Sequence, residues 1–66
     1  MARRIRAFRK LKGLTQQQLA DLLQLSVAVL GEMERGNRNV DTKTVLKLSQ
    51  VLNVSEEELT FRQIRP

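Results

Sequence analysis

Residues 15–36 read TQQQLADLLQLSVAVLGEMERG, Thr15 to Gly36, and their pattern decides the fold. Thr15 is placed to cap a helix. Its hydroxyl can accept from the backbone N–H of Gln18, and the Gln18 side chain can reach back to the start of the helix, which is a capping box. Leu19, Ala20 and Leu23 then share one helical face. Ser26 can cap a second helix, with Leu30 and Met33 as its inward stripe. Between the two lie Gln24 and Leu25, enough for a sharp corner and nothing longer. The spacing predicts two short helices that cross steeply over a tight turn.

Working outward, the same punctuation recurs. Four times an apolar residue precedes a Ser, Thr or Asp, and a second apolar residue follows four positions after that cap. The sets are Leu14-Thr15-Leu19, Leu25-Ser26-Leu30, Val40-Asp41-Val45 and Val54-Ser55-Leu59. Each fits a hydrophobic staple, in which the residue before the cap packs on the first turn and fixes the entry angle of the chain. Ser, Thr and Leu are common enough that one match would carry nothing. Four in register with plausible helix lengths carry an all-α chain.

The remaining elements fall between these marks. Met1 to Arg4 is expected to be a short, fraying basic arm. Ile5 to Lys12 is expected to be helical, with Ile5 and Phe8 inward, Arg9 beside them and Leu11 off the stripe; Gly13 suits the left-handed residue that ends it. Gly36 ends the third helix in the same way. Asn37-Arg38-Asn39 is a polar loop. Asp41 caps a fourth helix to about Leu52, whose inward edge is Val45, Leu48 and Leu52, and Asn53 can take the left-handed position after it. Ser55, boxed with Glu58, starts a fifth helix; its first turn, Glu56-Glu57-Glu58, suits the positive end of the helix dipole. Phe61, Ile64 and Pro66 close the chain. No strand pattern or internal repeat is visible.

Sixty-six residues suggest one small domain, 1–66, with a thin stability margin, because so short a chain buries only about 60% of its unfolded surface. With no Cys and no His there is neither disulfide nor thiolate, and the commonest metal ligand and general base is missing. No metal or cofactor is expected. No apolar run approaches the roughly 18 residues of a membrane span, and the basic N-terminus has no apolar segment behind it, so a cytoplasmic protein is expected. Enzyme chemistry is not expected either. The adjacent carboxylates Glu56, Glu57 and Glu58 do not converge on a substrate, and Thr15 and Ser26 have no base beside them.

The net charge is +5, from 12 Lys and Arg against 7 Asp and Glu. Residues 1–12 carry Arg3, Arg4, Arg6, Arg9, Lys10 and Lys12 and no acid. Residues 13–34 carry Asp21, Glu32 and Glu34 and no base. Residues 35–47 carry Arg35, Arg38, Lys43 and Lys47 against Asp41. Basic segments therefore flank the two central helices, a distribution that suits a polyanion gripped from both sides.

Arg9, Gly13-Leu14-Thr15-Gln16, Leu19-Ala20, Ser26, Leu30, Glu34-x-Gly36 and Val54-Ser55 together resemble the Xre/Cro-type helix-turn-helix domain of phage repressors and bacterial regulators. The resemblance covers roughly residues 4–60. It implies a lambda repressor-like, all-α, compact five-helix bundle that binds double-stranded DNA and regulates transcription, usually as a dimer on a palindromic operator. Position by position, it implies that Val27, Ala28, Gly31 and Glu32 face the major groove. It implies that Gln16, Asn37, Arg38 and Asn39 contact phosphates, and that Arg9 and Glu34 form an internal salt bridge; Lys43 and the basic arm are expected to add to the phosphate grip.

The chain departs from that family in three ways. Gln24 stands where a turn glycine is usual, and a non-Gly residue held left-handed costs about 1–2 kcal/mol. The groove-facing set is bare: Val27 and Ala28 can pack on thymine methyls and Glu32 can accept from cytosine N4, which is a thin vocabulary. Glu32 near phosphates is repulsive unless it meets that cytosine donor, and Gly31 within a helix also costs about 1 kcal/mol relative to Ala.

A repressor acting as a homodimer is the leading expectation, with Leu22, Phe61 and Ile64 as dimer contacts. The alternative is a protein-interaction module that docks a regulatory partner on an apolar Val27-Ala28-Val29 face. Steep salt dependence separates the two, since phosphate binding weakens with salt and apolar docking does not.

Overall fold

The computed structural model describes residues 1–60. Among the described residues there are five helices and no strand: α1 (Ala2–Leu11), α2 (Gln16–Leu23), α3 (Val27–Arg35), α4 (Thr42–Leu52) and α5 (Glu56–Thr60). α1 packs on α3, α4 and α5; α2 packs on α3 and α4; α4 packs on α5. Ile5, Leu19, Ala20, Leu23, Leu30, Met33, Leu48, Leu52 and Leu59 form the buried core, one contribution or more from every helix. The helical bundle expected from the capping pattern is the observed architecture.

The corners explain why these helices form where they do. Gly13, Gln24, Gly36 and Asn53 all have positive φ, at 74°, 59°, 79° and 56°. After each, a backbone N–H reaches back to close the helix that is ending: Leu14 to the Arg9 carbonyl at 3.0 Å, Leu25 to Ala20 at 2.9 Å, Asn37 to Glu32 at 2.9 Å and Val54 to Ser49 at 3.1 Å. This is the closure that satisfies carbonyls a helix leaves unpaired at its C-terminus. Three residues then suffice for a corner. In Gly13-Leu14-Thr15, Gln24-Leu25-Ser26 and Asn53-Val54-Ser55, the first residue turns the chain, the second packs half-buried against the core, and the third caps the next helix. The α3–α4 corner alone among the four carries an insertion, Asn37-Arg38-Asn39, before Val40 and the cap Asp41.

The caps are made as the sequence indicates. Thr15 Oγ1 accepts from Gln18 N at 3.0 Å while Gln18 Oε1 accepts from Thr15 N at 2.8 Å. Ser55 and Glu58 repeat the exchange at 3.0 Å in both directions. Ser26 and Asp41 each accept from the N–H three residues on.

The N-terminus corrects the sequence reading. Residues from Ala2 onward are helical, so α1 begins three residues before Ile5 and the basic arm is its first turn. Periodicity located the first buried residue, Ile5, and a helix can extend outward from its first buried residue without any apolar signal. Phe61 and Ile64, read as dimer contacts, lie outside the described residues, whereas Leu22 is exposed on α2.

Two expectations follow from the corners. Gln24→Gly relieves roughly 1–2 kcal/mol of left-handed strain and adds about 0.5–1 kcal/mol of unfolded-state entropy, so it should stabilise by roughly 0.5–1 kcal/mol. That corresponds to a rise of several degrees in the thermal midpoint, while Asn53→Gly should gain less because Asn tolerates this conformation. A lower midpoint for Gln24→Gly contradicts the strain. Separately, hydrogen bonds from Thr44, its side chain first and its backbone N–H second, hold the Asp41 carboxyl below its ordinary range. A depressed carboxyl stabilises the fold above its unfolded pKa and loses that contribution as pH falls through the folded value. Asp41→Asn should therefore flatten the fall in urea midpoint below about pH 4; an acid limb unchanged by the substitution contradicts the assignment.

Candidate nucleic-acid interface

α3 is held from behind by a buried polar hub. Arg9 Nε donates to Glu34 Oε2 at 2.7 Å and Arg9 Nη2 donates to Glu34 Oε1 at 3.2 Å. Arg9 Nη1 donates to the Leu14 carbonyl at 2.8 Å, and Gln16 Nε2 donates to Glu34 Oε1 at 3.1 Å. One guanidinium thus ties α1, the α1–α2 corner and α3 together, and Gln16 brings in the start of α2. No buried side-chain nitrogen or oxygen among the described residues lacks a partner. Gln16, implied by resemblance as a phosphate contact, has its amide already oriented by Glu34 at the N-terminus of α2.

With Leu30, Met33 and Glu34 turned inward, α3 presents Val27, Ala28 and Arg35 outward and leaves Glu32 half-exposed. Val27 retains 38% of its surface. Val29 packs against the core, so the apolar docking face of the alternative reading shrinks to Val27 and Ala28. Gly31 is buried, although the resemblance places it against the groove. The Arg35 side chain covers it: a Cβ built on Gly31 would lie 3.2 Å from Arg35 Nη1. The missing side chain at Gly31 is the seat of the Arg35 guanidinium.

Arg35 is the residue that the sequence reading passed over. It follows Gly31 by four positions and Ala28 by seven, so the three lie on one ridge. Two small residues on that ridge leave Arg35 as its long polar side chain, a signal present in the spacing alone. Arg6 was passed over for a similar reason. It and Arg35 wall two adjoining shallow depressions, one reaching Thr15 and Gln16, the other reaching Lys10 and Asn37. Arg3 and Arg4, in the first turn of α1, add to the positive end of that helix's dipole instead of offsetting it. Arg4 stands on the α5 side, beside Ser55, Glu57 and Glu58, whereas Arg3, Arg6, Lys10 and Arg35 make a positive surface running from α1 across the start of α2 to the end of α3.

The α3–α4 corner completes the face. Asn37, Arg38 and Asn39 are exposed, and Lys43 stands exposed in the first turn of α4. Arg38 is not isolated: its Nε donates to Glu32 Oε1 at 2.9 Å, and its Nη2 makes an ion contact with the same oxygen at 2.9 Å. The groove-facing acid and the loop's guanidinium, read from the sequence as separate contacts, are partners in this structure. Among the described residues there is no cluster of His, Cys, Asp or Glu able to hold a metal ion, and no helix long and apolar enough to cross a membrane.

Residues 5–59 match the family described as helix-turn-helix. The chain is 54% identical over 57 residues to YazB, an uncharacterised HTH-type transcriptional regulator of Bacillus subtilis (strain 168), across 86% of this chain and 83% of the relative. It is 36% identical over 63 residues to control protein C.SmaI of Serratia marcescens, across 96% of this chain and 75% of that protein. Its fold is similar to the crystal structure of the restriction-modification controller protein C.AhdI from Aeromonas hydrophila, with a TM-score of 0.82, 41% identity and 88% of each chain covered.

The buried hub yields a stability test. Removing one partner strands the other charge in the interior, so Arg9→Ala or Glu34→Ala should each cost about 3–5 kcal/mol, enough to unfold much of so small a chain. The paired replacement Arg9→Met with Glu34→Leu should recover most of that loss, as read by urea denaturation. Equal destabilisation by the double and single variants contradicts a charge-driven cost.

Proposed function

The chain belongs to the helix-turn-helix family of DNA-binding transcriptional regulators, and from that premise we propose that it acts as a repressor, binding a palindromic operator as a homodimer. The observation that carries the reading is the outward face of α3. It is held rigid from behind by Arg9 and Glu34 and flanked by exposed polar and basic groups. Val27 and Ala28 would meet thymine methyls and Glu32 a cytosine amino group. Gly31 would contribute by seating Arg35. Gln16, with the free N–H groups of the first turn of α2, would hold one phosphate. Asn37, Arg38, Asn39 and Lys43 would hold others, with Arg35 and Arg6 extending the track.

Few direct readers imply that DNA shape carries part of the specificity. A single small domain grips few phosphates, and a dimer doubles them. Its two α3 helices would then sit about 34 Å apart, one helical turn of DNA. The relatives named as a control protein and a restriction-modification controller support a regulatory role, which the protein would carry out in the cytoplasm with the nucleoid. A regulatory protein partner docked at Val27 and Ala28 is the competing reading.

Fluorescence anisotropy with a random-sequence duplex tests the assignment. Log affinity should fall linearly with log salt, with a slope of about −0.9 for each phosphate neutralised. Lys43→Ala and Arg35→Ala should each lower the steepness by about one phosphate's worth. A folded protein that binds no duplex at low salt overturns the DNA reading and favours the partner at Val27. Sedimentation on a selected palindromic duplex should give two chains per site, and one chain per site overturns the dimer.

A further inference from the structure

The pairing of Glu32 with Arg38 gives the interface a property that neither residue has alone. Arg38 engages Glu32 with a hydrogen bond from Nε and an ion contact from Nη2, and these two atoms form the guanidinium edge that binds a phosphate or carboxylate in two-pronged fashion. Both nitrogens lie 2.9 Å from one oxygen, Oε1. A phosphate approaching the α3–α4 corner therefore competes with Glu32 for the same edge. The pair is accessible to such a competitor, with side-chain exposures of 49% for Arg38 and 43% for Glu32. It also spans the junction between reader and grip: Glu32 sits on the outward side of α3, and Arg38 sits in the inserted loop after it.

We propose that Glu32 is a specificity-determining residue that works through Arg38. It occupies the Arg38 guanidinium on DNA of arbitrary sequence, and it releases Arg38 to a phosphate when a base amino group in the groove takes over the carboxylate. Exposed ion pairs are weak enough to exchange in this way. A carboxylate accepts well from cytosine N4, and no acceptor-only base edge can substitute for that donor. Base identity at one position would thus set the strength of a phosphate contact in the loop, converting a non-specific grip into a conditional one. This inference rests on the DNA-binding reading above.

A double-mutant cycle on a random-sequence duplex tests it, using wild type, Glu32→Gln, Arg38→Ala and the double variant, each checked for native helicity by circular dichroism. Glu32→Gln should tighten random-duplex binding roughly two- to five-fold and steepen the salt slope by about 0.9, the signature of one more phosphate neutralised. Arg38→Ala should weaken random-duplex binding by less than Lys43→Ala does, because Glu32 already engages part of its charge. Most of the gain from Glu32→Gln should vanish when Arg38 is Ala. If that gain survives in the Arg38→Ala background, Glu32 merely repels phosphates and the gate is wrong. Looser binding by Glu32→Gln overturns it too, because it makes Glu32 a support for Arg38 instead of a competitor. Absence of binding by all four folded proteins removes the DNA-binding reading itself, a result distinct from wild-type binding with no effect of Glu32→Gln, which overturns the gate alone.

Discussion

The placement of α3 depends on one buried guanidinium. Arg9 satisfies the Glu34 carboxylate with two donors and the Leu14 carbonyl with a third, and its side chain is 10% exposed against 3% for Glu34. Apolar contacts are non-directional and tolerate small rotations and slides of a helix. A fork of directed donors is not tolerant: rotation of α3 about its axis would strand a charge in the interior. The polar hub thus fixes the azimuth of α3 while the leucines supply the bulk of the burial. Gln16 joins the same carboxylate, so the start of α2 and the back of α3 are referenced to one point.

With the back of α3 fixed, its front can be sparse. Val27 and Ala28 offer shape and methyl contact, Gly31 yields its space to Arg35, and Glu32 is engaged by Arg38. The positive charge of the interface lies at its borders, on α1 and after α3, where phosphates would run. On the proposed reading, affinity and discrimination would fall to different residues: the border would supply attraction, and a few groups on α3 would decide where it is applied.

The fold was legible in the sequence because its instructions are local. Caps, staples and left-handed residues act within five positions of one another, and each corner could be read without knowing what lay across the core. The start of α1 was set too late because apolar periodicity reports burial, and Ala2 to Arg4 precede its first fully buried residue. The interface was less legible because its decisive contacts do not follow helical spacing. Glu32 and Arg38 are six residues apart, on a helix and a loop, and their meeting depends on how the chain leaves Gly36. Val29 looked like part of an apolar surface, yet the tilt of α3 turns it to the core. Arg35 was within reach, since its ridge with Ala28 and Gly31 follows ordinary helical arithmetic, but charge bookkeeping by segment assigned it to the flank.

The three-residue corners also bear on how quickly the molecule assembles. A turn, a half-buried anchor and a cap in immediate succession orient each helix against the next with almost no loop to close, so the entropy of chain closure is small at those steps. Helical domains built from such short-range contacts fold in microseconds to milliseconds. The Arg9 to Glu34 contact spans 25 residues and needs two corners already formed. Closing that contact costs more chain entropy than closing any single corner, and its charges can shed water without an unpaired-charge penalty only where the two side chains meet.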